Sequence, residues 1–243
     1  MSMTGSATSM HSPQAGESIY TDGSYLDKTG GTWHLEDSPF KARQIVRILE
    51  RHTEVQPDTI CEIGCGAGGI LAELQKLLPG HIAFTGYEIS PQAHAISARF
   101  SNSKCQYVLG DAFADPLICD LVLVMDVVEH VEDCFSFLRR TKRKGRWKLY
   151  HIPLDTSAQI VLRGHNGWDS VGHLHLFTIE TALKSLEYTG HRVVDWVLTD
   201  GSLALPKTVL SRIANLVRRP LAKLNRKLTA RLLGGYSILI LAE

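Results

Sequence analysis

A glycine-rich stretch at residues 64–69 has the composition of a loop that holds a ligand. It follows a short apolar run and contains Gly64, Gly66, Gly68 and Gly69. Glycines permit a tight turn with positive φ and let the backbone approach a ligand closely. Gly64, Gly66 and Gly69 also fit the G-x-G-x-x-G pattern of dinucleotide-binding loops, and Glu88 follows Gly69 by 19 residues. The loop alone therefore leaves open an NAD-dependent oxidoreductase.

Acidic residues occur at the ends of the apolar runs around this loop. Glu62 lies just before the glycines, Glu88 ends the second run, and Asp111 and Asp126 follow the third and fourth runs. Ligands of open parallel sheets bind at the carboxyl ends of the strands. We therefore expect these carboxylates to meet a ligand at one edge of a sheet.

The order of these residues resembles the class I S-adenosylmethionine-dependent methyltransferases. The first motif of that family, an acidic residue followed by G-x-G-x-G, is matched by Glu62, Gly64, Gly66 and Gly68, with Cys65 between the first two glycines. The resemblance implies S-adenosylmethionine as the cofactor. Its methionine part would lie on this loop, where a cationic amine tolerates a nearby carboxylate.

The next two motifs concern the adenosine part of that cofactor. In the stretch 86–90, the resemblance implies that Glu88 accepts both ribose hydroxyls and that Ile89 lies against adenine. In the stretch 110–112, it implies that Asp111, followed by Ala112, receives the adenine amino group. A glutamate at position 88 departs from the commoner aspartate but can serve the same role.

The fourth motif and the N-terminal segment complete the implied cofactor site. Residues 126–130 read Asp-Val-Val-Glu-His and match the frequent D-V-x-E-H of the family, which implies that Asp126 and Val127 contact the cofactor. The N-terminal segment commonly covers the cofactor pocket in this fold. Trp33 and His34 are therefore expected to touch the cofactor or the acceptor.

Histidines are the candidates for a general base. Methyl transfer from a sulfonium depends mainly on proximity and alignment, and a base helps only where the acceptor must lose a proton. His151 is the first candidate because it ends the fifth predicted strand and should face the reaction cavity. His130 comes next, followed by His173 or His175.

The sequence does not predict a metal ion. Asp126, Glu129 and His130 have i, i+3, i+4 spacing, which on a helical turn would place them on one face as ligands of a divalent cation. Some methyltransferases of quinones and of small-RNA ends use such a set. Many relatives with the same motif bind no metal, so no metal ligand is assigned.

Seven apolar runs that alternate with amphipathic segments must position these residues. Strands that alternate with helices predict βαβ units and a parallel sheet that is buried on both faces. The predicted fold is α/β, a doubly wound, seven-stranded, mostly parallel sheet. The resemblance implies the strand order 3-2-1-4-5-7-6 with the last strand antiparallel. The predicted strands are Thr59–Ile63, Ile82–Tyr87, Cys105–Leu109, Asp120–Met125, Trp147–Ile152, Arg192–Leu198 and Tyr236–Ala242.

The chain is expected to consist of one domain and an N-terminal region. Residues 1–18 are small and polar and predict a disordered tail. Residues 19–54 predict a lid and a helix, with Ser38 as its cap and Pro39 as its first residue. Residues 55–243 form the predicted methyltransferase domain, with a basic helical insertion at 206–233.

The composition excludes several other classes of protein. The chain has 243 residues, of which 44% are hydrophobic, as expected for one α/β domain. The net charge of +1 argues against a protein built to coat nucleic acid. The five cysteines lack paired C-x-x-C spacing, so neither a disulfide scaffold nor a zinc cluster is expected. Without a signal-peptide pattern or 18 unbroken apolar residues, a cytoplasmic protein is expected.

The insertion at 206–233 is basic and amphipathic. Residues 202–243 carry eight Lys or Arg and one acid, Glu243, whereas residues 1–201 have a net charge of −6. The apolar positions repeat at helical spacing on either side of Pro220, which is expected to interrupt the helix. We expect the apolar face to pack on the sheet or to roof the acceptor pocket. Binding to an anionic membrane surface or to nucleic acid stays open.

The predicted function is transfer of a methyl group from S-adenosylmethionine to an oxygen or nitrogen of a small-molecule acceptor. Nucleic acid is not the expected partner, because the Asn/Asp-Pro-Pro-aromatic loop of amino-methylating enzymes is missing after the fourth strand. Methylation of an RNA or a lipid-linked acceptor and a cofactor-binding module without activity stay open, and an NAD-dependent oxidoreductase is the least favoured alternative. The sequence identifies neither the acceptor nor the oligomeric state.

Overall fold

The computed structural model describes residues 32–164, 172–201 and 209–243. The predicted tail at 1–18, the first part of the predicted lid and the start of the basic insertion lie outside the described residues.

Seven strands form one sheet in the order β3-β2-β1-β4-β5-β7-β6. Neighbouring strands from β3 to β5 pair in parallel, and β7 pairs antiparallel with both β5 and β6. The predicted fold and the strand order implied by the resemblance are therefore confirmed. The strands are β1 (Thr59–Ile63), β2 (Ala83–Glu88), β3 (Cys105–Leu109), β4 (Cys119–Met125), β5 (Gly145–Pro153), β6 (Val193–Thr199) and β7 (Ser237–Ala242).

Helices connect the strands and lie on both faces of the sheet. Short 3₁₀ turns at Leu35–Asp37, Ala98–Phe100 and Val128–His130 complete the connections. The helices are α1 (Ser38–Arg51), α2 (Gly69–Leu77), α3 (Pro91–Ser97), α4 (Cys134–Lys142), α5 (Ala158–Arg163), α6 (Ile179–Tyr188), α7 (Val209–Leu224) and α8 (Arg226–Leu233).

The central strands are apolar on both faces because a helical layer covers each side of the sheet. In β4 the five residues Leu121–Met125 are all buried, and in β7 the five residues Ile238–Ala242 are buried as well. The two core clusters on opposite faces of the sheet share these strands, whose successive side chains alternate between the clusters. The rigid sheet thereby fixes the positions of the loops at its carboxyl edge.

Two helix ends differ from the sequence expectation. Helix α1 begins at Ser38 rather than at Pro39, because the preceding 3₁₀ turn runs directly into it and gives Ser38 helical dihedral angles. Helix α7 continues through Pro220, and the break comes at Asn225, whose side chain accepts a hydrogen bond from the Leu228 backbone N–H and caps α8. An asparagine cap therefore sets the boundary that the sequence assigned to proline.

Within the described ranges, none of the helices combines the length and the apolar character needed to cross a bilayer.

Leu74 and Leu77 of α2 offer a matched test of how the helix packs on the sheet. Leu74 is fully buried, whereas Leu77 is 46% exposed. Leu74→Ala should lower the free energy of unfolding by about 2–5 kcal/mol, because it removes buried methyl groups and leaves a cavity. Leu77→Ala should change it by less than about 1 kcal/mol. Urea unfolding of both variants measures the difference, and equal losses would contradict this packing.

Candidate functional site

A cavity of about 600 Å³ lies at the carboxyl edge of the sheet. Its wall is formed by the glycine loop after β1, by the start of α1 and by the carboxyl ends of β4, β5 and β6. Parallel strands bring their carboxyl ends to the same edge, and the order of strands reverses between β1 and β4. The cavity therefore lies where a doubly wound sheet binds ligands.

Asp126 joins three parts of this cavity through its carboxylate. One oxygen lies 2.6 Å from His151 Nδ1 at the end of β5, and the other lies 2.5 Å from Lys41 Nζ in α1. Asp126 has a φ of 57°, in the left-handed region that costs energy for a residue with a side chain. Lys41 and His151 hold the residue in this conformation.

The ionisation of Asp126 and Lys41 follows from their mutual attraction. Burial would raise the pKa of Asp126, but the nearby His151 and Lys41 outweigh it and lower the pKa well below its usual range. Burial would lower the pKa of Lys41, but the Asp126 carboxylate outweighs it and raises the pKa. The pair is therefore charged at neutral pH.

His151, the first candidate for a general base, has partners on both ring nitrogens. Its Nδ1 contacts Asp126, and its Nε2 lies 2.8 Å from Thr199 Oγ1 at the end of β6. The side chain lines the cavity, as expected, but it is buried and takes part in a hydrogen-bonded chain. This geometry suits a residue that positions Asp126.

Glu62 carries a buried carboxyl group next to the same ion pair. Its Oε2 atom has no hydrogen-bond partner within the described part of the chain. Burial raises the pKa of Glu62 to about 8, and the charge of Lys41 offsets this in part, while Glu88 and Asp126 add to it. A buried acidic group without a partner suits a ligand that brings a cationic amine.

The glycine loop turns its backbone toward the cavity. Gly64 and Gly66 have φ values of 71° and 53°, which favour glycine. A Cβ on Gly64 would lie 2.7 Å from Cγ2 of Val127, and a Cβ on Gly66 would lie 2.7 Å from Cδ1 of the Trp33 indole. The loop therefore admits no side chain at either position, while Cys65 is buried beneath it.

Trp33 and His34 lie at the wall of the cavity, where the sequence placed a lid. Both have positive φ, 48° and 58°, and both line the cavity together with Leu35. The indole of Trp33 lies directly over Gly66. The segment therefore covers the same backbone that a cofactor would approach.

The residues expected at the adenosine part lie outside this cavity. The Glu88 carboxylate accepts hydrogen bonds from the backbone N–H of Gly66 at 2.7 Å and of Ser90 at 2.8 Å, which ties β2 to the glycine loop. Ile89, after the end of β2, is 43% exposed. An apolar side chain exposed beside the glycine loop is placed to contact a flat apolar ring.

Asp111 and the residues near it form a separate exposed cluster. Its carboxylate accepts a hydrogen bond from the Phe113 backbone N–H at 2.9 Å and lies 3.1 Å from Arg140 Nη2. Asp111 therefore caps its own turn and keeps its exposed carboxylate at the strand end. The neighbouring Ala112 is buried in the core.

Gly68 of the glycine loop lies against Tyr107 and Ser97.

A second cluster of polar side chains faces the cavity opposite the glycine loop. Glu129, His130 and His173 each offer one ligand atom, and these three atoms lie within 4.8 Å of one another. Glu129 is fully buried, and neither of its carboxyl oxygens has a hydrogen-bond partner within the described part of the chain. Burial, reinforced by the nearby Asp126 charge, raises the pKa of Glu129 well above its usual range.

The two histidines of this cluster are held through their Nδ1 atoms. His130 Nδ1 donates to the Gly172 carbonyl at 3.0 Å, and His173 Nδ1 contacts the Asp155 carboxylate at 2.5 Å. Burial lowers the pKa of His130 to about 4, so this ring is neutral at neutral pH. A carboxylate on Nδ1 makes Nε2 of His173 the basic nitrogen and orients it. Glu129, His130 and His173 could therefore hold a divalent cation, or His173 could accept a proton.

Three residues of the site could not be recognised from the motifs in the sequence: Lys41, Asp155 and Thr199. Asp155 and Thr199 follow or end strands, the same signal that identified Asp126, and could have been found by it. Lys41 lies in a helix outside the βαβ pattern, and its sequence neighbours carry no motif. His175, by contrast, contacts the Val131 carbonyl through Nε2 and does not line the cavity.

A family model described as a methyltransferase domain matches residues 34–195. The chain belongs to this methyltransferase domain family. The match includes α1 as well as the sheet from β1 to β5, so Lys41 lies within the family domain. The resemblance to class I S-adenosylmethionine-dependent methyltransferases is thereby confirmed.

A curated relative matches part of this methyltransferase. Over 114 residues, the chain is 31% identical to the mitochondrial ubiquinone biosynthesis O-methyltransferase of Schizosaccharomyces pombe. The match covers 42% of this chain and 40% of that protein. The chain thus matches less than half of that relative's length.

Solved methyltransferase structures share the fold over nearly the whole chain. The plantazolicin methyltransferase BpumL, solved with a monoazolic desmethylPZN analog and SAH, has a TM-score of 0.61 at 16% identity, and the match covers 93% of this chain and 92% of that chain. The magnesium protoporphyrin IX methyltransferase of Synechocystis PCC 6803, solved with bound SAM, has a TM-score of 0.60 at 11% identity, with coverage of 96% and 99%. At these identities the likeness shows a common fold.

Replacing Glu62 by Gln should flatten the pH dependence of stability of the methyltransferase. The pKa of about 8 in the folded chain exceeds the ordinary value of 4.5, so the folded state binds more protons between these values. Stability therefore falls as the pH rises through this range, and a glutamine removes this contribution. Thermal unfolding of the ligand-free protein from about pH 5 to about pH 8 measures the slope. Glu50→Gln, at an exposed position of α1, is the control, and an unchanged slope in Glu62→Gln would contradict the assignment.

Proposed function

We propose that this methyltransferase moves a methyl group from S-adenosylmethionine to an oxygen or nitrogen of a small-molecule acceptor in the cavity at the carboxyl edge. One observation carries the proposal: the cavity has the glycine loop on one side, with the buried Glu62 in the strand that leads into the loop, and His173 with its Asp155 partner on the other. The first side suits an aminoacyl sulfonium, and the second suits an acceptor that must lose a proton. The partial match to a ubiquinone biosynthesis O-methyltransferase agrees with an oxygen acceptor.

The residues near the glycine loop fit the cofactor. Oε2 of Glu62, which has no hydrogen-bond partner in the described part of the chain, would take the cationic amine. The backbone at Gly64 and Gly66 would lie against the methionine part. Glu88 would accept ribose hydroxyls in addition to its two backbone N–H groups, because each carboxylate oxygen can accept more than one hydrogen bond. When bound, the cofactor supplies the methyl group to be transferred, and these residues hold and align it.

The exposed residues beyond the loop would bind the adenine. Ile89 would contact the face of the base, and Asp111 would accept from its amino group after giving up its contact with Arg140. The 3.1 Å pair between two half-exposed side chains is weak, so this exchange costs little.

Residues 19–54 would act as the lid of this site, and residues 55–243 as the catalytic domain. In the described part of that lid, Trp33 lies over Gly66 and His34 lies beside it at the cavity wall. The indole would have to move aside when the cofactor binds, and both residues would then contact the cofactor or the acceptor. Their positive φ values indicate a strained backbone, and a movement of this segment would relieve the strain.

His173 would act as the general base, with Asp155 as its positioning residue. Its Nδ1 contacts Asp155 at 2.5 Å, and the ring lines the cavity, so Nε2 would take the acceptor proton. His151 was the first candidate from the sequence, but its two ring nitrogens already contact Asp126 and Thr199. His130 would remain neutral because its pKa is about 4, so it accepts a proton less readily.

The cluster of Glu129, His130 and His173 favours one second role, the binding of a divalent cation. The three ligand atoms within 4.8 Å support this role, as does the Glu129 carboxyl group, which has no hydrogen-bond partner among the described residues. In that case His173 would be a ligand and the acceptor oxygen would bind the cation. The sequence-based expectation of no metal stays a prediction.

Gly66→Ala should abolish or strongly weaken cofactor binding. A methyl group at position 66 meets the indole of Trp33 at 2.7 Å and occupies the space between backbone and ligand, whereas a methyl group on Gly80 would meet no atom within 4 Å. Calorimetry with S-adenosylhomocysteine should therefore show normal affinity for Gly80→Ala and at least about tenfold weaker binding for Gly66→Ala. Equal affinities of the two variants would show that the cofactor does not bind at the glycine loop.

The same calorimetry separates the proposed enzyme from its alternatives. Binding of NAD without S-adenosylhomocysteine would support an oxidoreductase. Cofactor binding without methylation of any acceptor in a metabolite and RNA screen with labelled methyl donor would support a module without activity. Methylation of a small molecule in that screen is the expected result.

Asp155→Asn should lower turnover. Asparagine keeps the shape but leaves the His173 ring without a negative partner to orient it, so the rate at neutral pH should fall by about tenfold or more. Turnover of the acceptor found in the screen, measured at saturating cofactor, tests this. His175→Gln, outside the cavity, is the control.

Chelation distinguishes a base from a metal ligand at His173. If His173 is the base, exhaustive treatment with EDTA should leave the wild-type rate unchanged. Loss of the rate with EDTA and its recovery with Zn²⁺ or Mn²⁺ would contradict the base and support the cation site.

A further inference from the structure

Exposed leucines and basic side chains run side by side along α7 and α8. Leu216 and Leu224 are 74% and 83% exposed, and Leu228 and Leu232 are also exposed. These leucines and Pro220 follow one another at every fourth residue, so they share a face within each helix. Water-exposed leucines in such a row are unusual on a surface without a partner.

The basic residues follow the same spacing, shifted by one position. The row consists of Arg219, Lys223, Lys227 and Arg231, and all four are exposed. Lys227 lies over the Trp196 ring, and Arg231 pairs with Glu180. No acidic side chain within the described residues pairs with Arg219 or Lys223, so these two present uncompensated charge.

Helix α5 extends the apolar part of this surface. Val161 and Leu162 are exposed, Leu162 by 87%. Val161 lines a shallow groove together with Ala230 and Arg231 of α8, which shows that α5 and α8 adjoin. The surface formed by the exposed residues of α5, α7 and α8 is named here the basic-leucine surface.

The basic-leucine surface lies on the same edge of the sheet as the cavity. Helix α5 follows the carboxyl end of β5 at Pro153, and α8 leads into β7 at Ser237. Pro153, Ser237 and Thr199, the last residue of β6, all line the cavity. A partner that binds the basic-leucine surface would therefore lie next to the cavity.

We propose that the basic-leucine surface binds an anionic lipid bilayer and brings the cavity to an acceptor that is dissolved in the membrane. A row of leucines beside a row of basic residues matches helices that lie in a membrane interface, with the leucines among acyl chains and the cations at anionic headgroups. A surface for single-stranded nucleic acid would instead carry exposed aromatic side chains for stacking. The idea of a membrane-dissolved acceptor rests on the proposed function, whereas the binding of the bilayer does not.

Co-sedimentation with vesicles tests the surface. The full chain is mixed with vesicles of phosphatidylcholine alone and with vesicles that contain one third phosphatidylglycerol, at low and at high salt. We expect binding to the anionic vesicles at low salt and its loss at high salt or without phosphatidylglycerol. Equal binding to both vesicle types, or none to either, would overturn the proposal.

Variants of exposed residues locate the binding without disturbing the fold. Arg219→Glu and Lys223→Glu should each weaken vesicle binding about fivefold or more, and Leu224→Ser should weaken it about tenfold. The controls are Lys104→Glu and Leu77→Ser, which are exposed at positions distant from this surface. Equal effects of surface and control variants would contradict the assigned surface.

Calorimetry with S-adenosylhomocysteine on the same variants tests the proposed function separately from the proposed membrane surface. Their cofactor affinity should equal that of the wild type, because none of the replaced residues lines the cavity. A chain that binds vesicles but no S-adenosylhomocysteine would refute the proposed function and leave the membrane surface intact. Binding to single-stranded RNA that the charge variants abolish, without vesicle binding, would replace the membrane by nucleic acid.

Discussion

The cavity depends on the contacts of one partly buried carboxylate, that of Asp126. It connects α1 through Lys41, the end of β4 through its own backbone, and the end of β5 through His151. The Asp126 backbone N–H also donates to the His151 carbonyl at 2.9 Å. Removal of one charged partner from this partly buried pair would leave an uncompensated charge between α1 and the strand ends. The helix before the sheet is thereby bound to the strand ends where the chemistry is proposed.

The electrostatics of the cavity follow from this one pair. Lys41 neutralises Asp126, so the buried acids Glu62 and Glu129 have no cation of their own among the described residues, and burial raises the pKa of both. A cation bound beside either carboxyl group would meet an acid without a charged partner. Such a site favours cationic ligands, and the proposed sulfonium cofactor supplies an amine to the side of Glu62.

The fold could be predicted from the sequence because each strand is a largely apolar run with a glycine or an acid at one or both of its ends. Six of the seven strand predictions agree with the structure to within one residue at each end, and Cys105–Leu109 and Thr59–Ile63 agree at both ends. The order of the strands came from the family resemblance, since periodicity does not encode which strands pair. Pro220 was expected to interrupt the helix, but a proline in a helix costs one hydrogen bond, which α7 tolerates.

The candidate site could be predicted where it depends on strand ends and not where it depends on contacts between distant segments. Asp126 and His151 were found because each ends a strand or follows one. The contact of His151 with Thr199 joins residues 48 positions apart, and that of Asp126 with Lys41 joins the sheet to a helix outside the repeated pattern. No local motif encodes such pairs. The contacts of both His151 ring nitrogens and the orientation of His173 by Asp155 are therefore seen only in the structure.

Hydrogen exchange of the variant Asp126→Asn tests the central claim most directly. Asparagine tolerates positive φ and keeps the shape of the side chain, but it removes the charge that holds Lys41 and His151. We expect faster amide exchange in residues 38–51 of α1 and unchanged exchange in β2 and β3, which do not contact Asp126. Wild-type exchange throughout α1 in this variant would show that packing alone holds the helix and would contradict the account.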